Sequence, residues 1–350
     1  MDAAGGGARP RGWGGAGTRL RGWGGVGAMA VLCAFALAFV LLLPRTQAQP
    51  EPGPVTSVGP VAEGSQARAS DCVDAKAQDR SLPPSKASGK TIDAIRARPG
   101  KRKLVVGVDQ NSYRWGYRNP NNPGAELEGF DIDLVHRIAE DIVGDPDAVQ
   151  FKAIPTSRRI AALQEGRVDM VVRTMTISCE RLKDVAFSAP YFRTGQQVLA
   201  PKSSPVKGYR DLAGRRVCTA AGSTARKKLE QDVKSGAVKA VVAEAVPNQL
   251  DCLVRLQLGE ADAVITDGAL AASQAAQDPT LELKGPAFTT EYYGVAMNKD
   301  AGDLVGRVNR VLADYRSDGW QASYDKWLSA TLGEDAKPYR PPTPEYRGES

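Results

Sequence analysis

The chain has a single histidine in 350 residues, His136, set between Val135 and Arg137 in a helical stretch that turns it toward solvent. Imidazole is the usual general base near neutral pH and the commonest metal ligand. One copy cannot form a histidine cluster, and at a solvent-facing helix position it gives no histidine–nucleophile pairing. None of the five cysteines stands at metal-ligand spacing from another, so a zinc site is excluded as well. Glu128 and Glu165 lack a second carboxylate arranged for acid–base work. No cofactor motif appears, and the expectation is a protein without cofactor, metal or catalytic residues. Aromatic residues are only 6% of the chain and do not interleave with lysine or arginine. The formal charge of +6 is modest, and the arginines are spread along the chain, with a cluster near the N-terminus, rather than gathered in one basic stripe. That pattern excludes a nucleic-acid-binding stripe. Nor does any apolar run reach the roughly 18 residues of a clear membrane span.

The longest apolar run covers residues 28–43, sixteen residues preceded by Arg9, Arg11, Arg19 and Arg21 and closed by Pro44 and Arg45. A basic region before a short apolar run reads as a signal peptide, with Thr46, Gln47 and Ala48 at its end. A retained membrane anchor is the alternative. Either reading places the body of the chain on the extracellular face of the cell membrane, secreted or anchored. Export changes the meaning of the cysteines. Apart from Cys33, the four that remain, Cys72, Cys179, Cys218 and Cys252, are an even number in an oxidising compartment and point to two disulfides.

The chain divides by composition. Residues 1–48 are the signal or anchor segment, and 49–100 are rich in Pro, Ala and Ser and read as a linker, with a short helix near 91–98. Residues 334–350 read as a Pro-rich tail. Between them strands and helices alternate. A β-branched run at 103–108 is followed by a helix at 130–142 that places Ile132, Leu134, Val135, Ile138 and Ile142 on one face. Strand, helix and strand follow at 149–154, 158–165 and 168–172. The rhythm returns at 216–219, 224–231, 240–243, 248–258 and 263–265. This alternation predicts an α/β fold with mainly parallel sheets, in two lobes. Lobe 1 spans 101–197, lobe 2 spans 198–286, and the chain returns to lobe 1 over 287–333.

Ligands of open α/β sheets sit beyond the carboxyl ends of the strands, and polar clusters stand at three of those ends. R-T-M-T-I-S-C-E-R at 173–181 follows a buried strand. A-G-S-T at 221–224 is a glycine turn that opens a helix. Thr266 and Asp267 directly follow D-A-V-I at 262–265. Together they offer an arginine fork and a helix N-terminus for a carboxylate, and an aspartate for a cation. That set suits an α-amino acid.

The sequence resembles the extracellular substrate-binding proteins of polar amino-acid ABC transporters, the bacterial solute-binding proteins of family 3. The resemblance rests on G-F-D-I-D-L at 129–134, L-Q-E-G-R-V-D-M at 163–170, T-M-T-I-S-C-E-R at 174–181 and F-S-A-P-Y-F at 187–192. It continues with G-S-T at 222–224, L-G-E-A-D-A-V-I-T-D at 258–267 and Y-Y-G-V-A-M-N-K at 292–299. It is strongest toward glutamate- and aspartate-binding members of actinobacterial type. It implies a type II periplasmic-binding-protein fold whose lobes close about hinge strands, near 196–201 and 285–293. By position, Arg181 would clasp the α-carboxylate, with Thr176 and the Thr174 backbone beside it. Ser223 and Thr224 would hold the ligand from lobe 2, and Asp267 would take the ammonium. Arg159 would meet a side-chain carboxylate, with Arg114 as a further candidate. Members usually place an aromatic ring over the ligand in the loop after the first strand. Here that loop is Q-N-S-Y-R-W at 110–115, which leaves the ring unassigned. The expected partners are an acidic amino acid and an ABC permease, with the binding protein a monomer. A membrane-tethered sensor and a dehydratase-like enzyme are the rival readings. The lobe assignment pairs Cys218 with Cys252 at a strand and helix of lobe 2, and leaves Cys72 for Cys179.

Each site residue also has an ordinary reading. Arg181 could pair on the surface with Glu180 or Asp184, Asp267 could be a helix N-cap, and Ser223 could cap the helix it opens. Arg159 could face solvent, and Arg173 could have no ligand role. Phe187, Tyr191 and Trp327 read as core.

Overall fold

In the computed structural model of the chain, which describes residues 80–122 and 124–348, the β-branched run Leu104–Val108 (β1) is buried and organises the first sheet. It runs parallel to Val149–Ala153 (β4) on one side and Met170–Val171 (β5) on the other. Two short strands, Asn111–Ser112 (β2) and Gly116–Tyr117 (β3), form a hairpin in the loop that follows β1. Val185–Phe187 (β6) and Ala296–Asn298 (β14) complete a sheet of order β4-β1-β5-β14-β6, with β14 antiparallel to both neighbours.

The second sheet repeats the plan. Arg216–Cys218 (β9) lies parallel to Val241–Val242 (β10) and Ala263–Asp267 (β11). Gln196–Pro201 (β8) runs antiparallel to β11 and to Leu281–Lys284 (β12), giving the order β10-β9-β11-β8-β12. Each lobe is therefore mixed where strand–helix alternation predicts mainly parallel pairing. The reason is topological: β14 and β8 each enter a sheet from the other lobe and run against the parallel set.

The chain crosses between lobes as a two-stranded ribbon, Phe192–Thr194 (β7) antiparallel to Glu291–Tyr293 (β13). The expected first hinge at 196–201 is corrected, because all of β8 is paired within the second sheet. The crossing lies just before it, at Gly195. A Cβ there would stand 2.1 Å from the Thr289 carbonyl oxygen of the opposing strand. Only glycine lets the two crossing segments run so close.

Helices cover the sheets. Lys90–Ala97 (α1), Phe130–Val143 (α2) and Arg159–Gln164 (α3) belong to lobe 1, and Thr224–Ser235 (α4), Gln249–Gln257 (α5) and Gly268–Gln277 (α6) to lobe 2. Gly302–Asp318 (α7), Trp320–Trp327 (α8) and Ser329–Leu332 (α9) return to lobe 1. Among the described residues, no helix is long and apolar enough to cross a membrane. The signal or anchor segment lies outside the described residues.

The linker and tail readings change where they meet the fold. Ile92 and Ile95 of α1 are fully buried in the lobe 1 core, each contributing about 1.5–3 kcal/mol by apolar burial. Gly89, before α1, makes no side-chain cap. Asp303 of α7 caps the helix instead, its carboxylate accepting from the Thr91 and Ile92 amides at 2.9 Å. Beyond Gly333 the chain packs back on lobe 1. Tyr339 stacks on Phe192 at 5.8 Å, and Tyr346 bridges to Ser81. The buried Asn309 secures the segment before α1, donating to the Ser81 hydroxyl (2.8 Å) and the Leu82 carbonyl (2.6 Å).

Cys218 and Cys252 form a disulfide between β9 and α5, with Cα atoms 5.5 Å apart. Cys179 is also disulfide-bonded; Cys72, expected as its partner, lies outside the described residues. Residues 218 and 252 are 34 positions apart, and closing a loop of that length stabilises a fold by about 3–4 kcal/mol on the chain-entropy account. Replacing both cysteines with alanine is expected to lower the unfolding free energy by roughly that amount, read from urea denaturation followed by circular dichroism. An unchanged midpoint would show that the bridge adds nothing to the sheet and helix it joins.

Candidate functional site

The carboxyl ends of β5, β9 and β11 converge on one small cavity between the lobes. Seven of the eight expected ligand residues line it: Arg159, Thr174, Thr176 and Arg181 from lobe 1, and Ser223, Thr224 and Asp267 from lobe 2.

Arg181 follows directly after the T-I-S-C-E segment, on a short 3-10 turn packed against β6. Its side chain is buried, so the surface reading fails, and Glu180 pairs with Lys227 instead. The guanidinium donates to the Thr176 carbonyl at 2.7 Å and across the cleft to the Gly222 carbonyl at 3.0 Å. Asp267 stands opposite, at the end of β11. It occupies the N-cap position of α6 but makes no capping bond. Its carboxylate accepts from the Tyr293 hydroxyl at 2.6 Å. Burial pushes the Asp267 pKa up, and the Tyr293 bond and the charges of Arg181 and Arg159 pull against that.

Arg159 is buried at the start of α3, its Nε donating to the Thr156 carbonyl at 2.9 Å and its Nη1 to the Arg173 carbonyl at 3.3 Å. Among the described residues, no carboxylate lies within ion-pair distance of it. Burial first, then the like charges of Arg181 and Arg173, lower its pKa well below the usual value. A guanidinium does not shed its proton in a protein, so this position favours a negative charge close by. Arg173, a wall of the same cavity, is by contrast paired. It holds Asp109 at 2.7 Å and donates to the Thr156 hydroxyl and to Asn248 of lobe 2, both at 2.9 Å.

Three expectations are corrected in detail. Arg114 is not in the cavity: it donates to the Trp327 carbonyl at 2.9 Å and lies over the Tyr113 ring. The Thr174 amide is already committed, donating to the buried Asp131 at 3.1 Å, which supports a left-handed backbone (φ 42°) there. The Ser223 hydroxyl is a helix cap, accepting from the Arg226 amide at 3.0 Å and donating to the Ala220 carbonyl at 2.7 Å. What α4 offers the cavity is its first turn at Thr224 and Ala225, where backbone amides have no intrahelical partner. Gly222 before it is required by geometry. Its φ is +73°, and a Cβ there would lie 2.9 Å from the Ser157 Cα of lobe 1. Among the described residues, no aromatic ring lines this cavity. Trp115 is buried against Phe192, with ring centroids 4.8 Å apart.

Sequence reasoning missed Asp109, Gln249, Glu291 and Tyr293. Asp109 and Tyr293 act by holding Arg173 and Asp267. The polar residue at the end of β1 was the one signal that could have found Asp109. Several bonds cross between the lobes. The Thr156 amide donates to the Pro247 carbonyl (3.2 Å), Gln249 to the Ser112 hydroxyl (2.9 Å) and the Trp115 indole to Ser273 (3.2 Å). The lobes are closed on one another. Among the described residues, no group of three or more His, Cys, Asp or Glu is placed to hold a metal ion.

Glu291 lies behind Asp267, accepting from the Gln196 amide at 2.8 Å. Burial, then the Asp267 charge, raises its pKa from 4.5 to about 7. An acid held protonated by the fold binds its proton more tightly folded than unfolded. The stability this gives is full below the unfolded pKa and is lost as pH rises to about 7. Glu291→Gln keeps the acceptor for Gln196 and removes the charge. It is expected to melt near the wild type at about pH 4.5 and a few degrees above it at about pH 8. Equal melting temperatures at both values in differential scanning calorimetry would show that Glu291 titrates normally.

The model of the bacterial extracellular solute-binding proteins, family 3, matches residues 104–330. The glutamine-binding protein GlnH of an ABC transporter of Bacillus subtilis is 37% identical over 244 residues, covering 69% of this chain and 87% of that protein. The glutamate-binding protein GluB of Corynebacterium glutamicum is 29% identical over 243 residues, covering 66% and 79%. Among solved structures, a mutant of the arginine-binding protein of T. maritima superposes with a TM-score of 0.61 at 29% identity, covering 69% of this chain and all of that one. The chain belongs to the bacterial extracellular solute-binding proteins, family 3, and is a binding protein of type II two-lobed fold rather than an enzyme.

Proposed function

We propose that the protein captures an acidic L-amino acid, glutamate or aspartate, between its lobes outside the cell and delivers it to an ABC importer in the membrane. The observation that carries this reading is the convergence of Arg181 and Asp267, buried and of opposite charge, from different lobes on one cavity. Arg181 and the first turn of α4 answer an α-carboxylate, and Asp267 answers an α-ammonium. Arg159, with only backbone carbonyls at its guanidinium, favours a second carboxylate. With Arg173 neutralised by Asp109, the two remaining cations and one anion of the wall complement a ligand of two carboxylates and one ammonium. A neutral amide in the same place would leave a desolvated guanidinium without a counter-charge, which is costly. Closure would proceed about the β7–β13 ribbon.

Glutamine is the second reading, favoured by the 37% identity to the Bacillus subtilis glutamine-binding protein. Calorimetric titration with the twenty amino acids decides between them. The expected result is glutamate or aspartate tighter than glutamine, with a dissociation constant on the micromolar scale, about −8 kcal/mol. Arg181→Ala is expected to weaken every amino acid by roughly 100-fold or more, since it strips the α-carboxylate of a buried charged partner. Arg159→Met should weaken glutamate about tenfold more than glutamine. Tighter binding of glutamine by the wild type would sink the acidic reading. Arg159 would then serve the loop alone, through Thr156 and Arg173.

A further inference from the structure

Beside the amino-acid cavity lies a second, smaller one, between the loop after β1 and helices α5 and α6. The two share Gln249 and Leu270 in their walls. Gln249 is the first residue of α5 and is 7% exposed. Its carboxamide nitrogen donates across the cleft to the Ser112 hydroxyl at 2.9 Å, and Ser112 is held in turn by Asp109 at 3.2 Å. The glutamine thus spans from lobe 2 to lobe 1 at the boundary between the two spaces. On the far side, Gln274 of α6 lines the second cavity. Its side chain is 5% exposed, and its carbonyl oxygen has no hydrogen-bond partner among the described residues. A buried acceptor without a donor is unfavourable and is satisfied by whatever donor reaches it.

We propose that Gln249, backed by Leu270, is a specificity-determining partition that limits the length of the ligand side chain, and that the space behind it accepts a neutral, donor-ended side chain once the partition is removed. The inference rests on the reading of the first cavity as an amino-acid site. Among the described residues no ring lines the first cavity, and Gln249, which lines both cavities, stands as its wall toward the second. On this proposal a side chain of glutamate or glutamine length ends before Gln249, whereas a longer one meets it. Shortening the wall joins the cavities and exposes the Gln274 oxygen to the ligand.

The probes are L-glutamate, L-glutamine and L-citrulline, the last a neutral, donor-ended side chain longer than that of glutamine. Each is titrated calorimetrically into wild type, Gln249→Ala, Leu270→Ala and Ser112→Ala. The wild type should bind citrulline at least tenfold more weakly than glutamine. Gln249→Ala and Leu270→Ala should each move the citrulline-to-glutamine affinity ratio at least tenfold toward citrulline. Ser112→Ala, which removes the cross-cleft bond but keeps the wall, should weaken both ligands together and leave the ratio in place. A ratio unmoved in both wall variants overturns the partition, as does a wild type that binds citrulline as tightly as glutamine. An equal shift in Ser112→Ala overturns it too, since the bond rather than the bulk would then set the limit. The glutamate-to-glutamine order in the wild type tests the acidic reading separately, because the partition concerns length and not charge. A wild type that binds none of the three removes the inference along with the reading beneath it.

Discussion

A guanidinium buried in a protein keeps its charge, and the cleft buries Arg159, Arg173 and Arg181 within one wall. Much of the surrounding structure answers that constraint. Arg173 is neutralised by Asp109 at the end of β1 and reaches Asn248 in the opposite lobe. Arg181 is oriented by carbonyls, one of them Gly222 of lobe 2. Arg159 has carbonyls alone among its hydrogen-bond acceptors. The lobes therefore have electrostatic reasons to meet, and the charge balance of the cavity stays positive on one side.

The acidic groups nearby show the complementary pressure. Asp131 is fully enclosed, and burial raises its pKa to about 7 although the Tyr191 hydroxyl and the Thr174 amide donate to it. Asp267 and Glu291 are raised for the same reason and repel each other as well. These carboxyls and the three arginines occupy the low-dielectric junction of two sheets, where each charge is felt strongly by the next. A junction of this kind binds charged ligands well because its dipoles are fixed before the ligand arrives. It is also less stable than an apolar one, and the surrounding core offsets that cost. Trp115, Phe130, Phe192 and Trp320 pack edge to face and in stacks beside the hinge ribbon.

Much of this was legible in the primary structure alone. The alternation of β-branched runs and 3.6-residue periods located the main strands and helices of both lobes, because burial on a sheet and on one helix face imposes those periods locally. The residues at strand ends, Arg181, Thr176 and Asp267, were readable because a polar cluster directly after a buried strand has few structural reasons to exist. The pairing of Cys218 with Cys252 followed from their places on adjacent elements of one lobe.

Tertiary structure alone decided the rest, in each case because the deciding partner lies far away along the chain. Asp303 caps a helix more than two hundred residues earlier, which turns an apparent linker into part of the core. Ser223 lines the cavity but commits its hydroxyl to capping its own helix, and Arg114 turns away from the cavity to the Trp327 carbonyl. The antiparallel strands β8 and β14 arise from the double crossing between lobes, which no local period records. The wall formed by Gln249 against Ser112 depends on closure itself. Local sequence sets which residues are buried and which stand at the ends of strands. Only the approach of the two lobes determines which of those ends face one another.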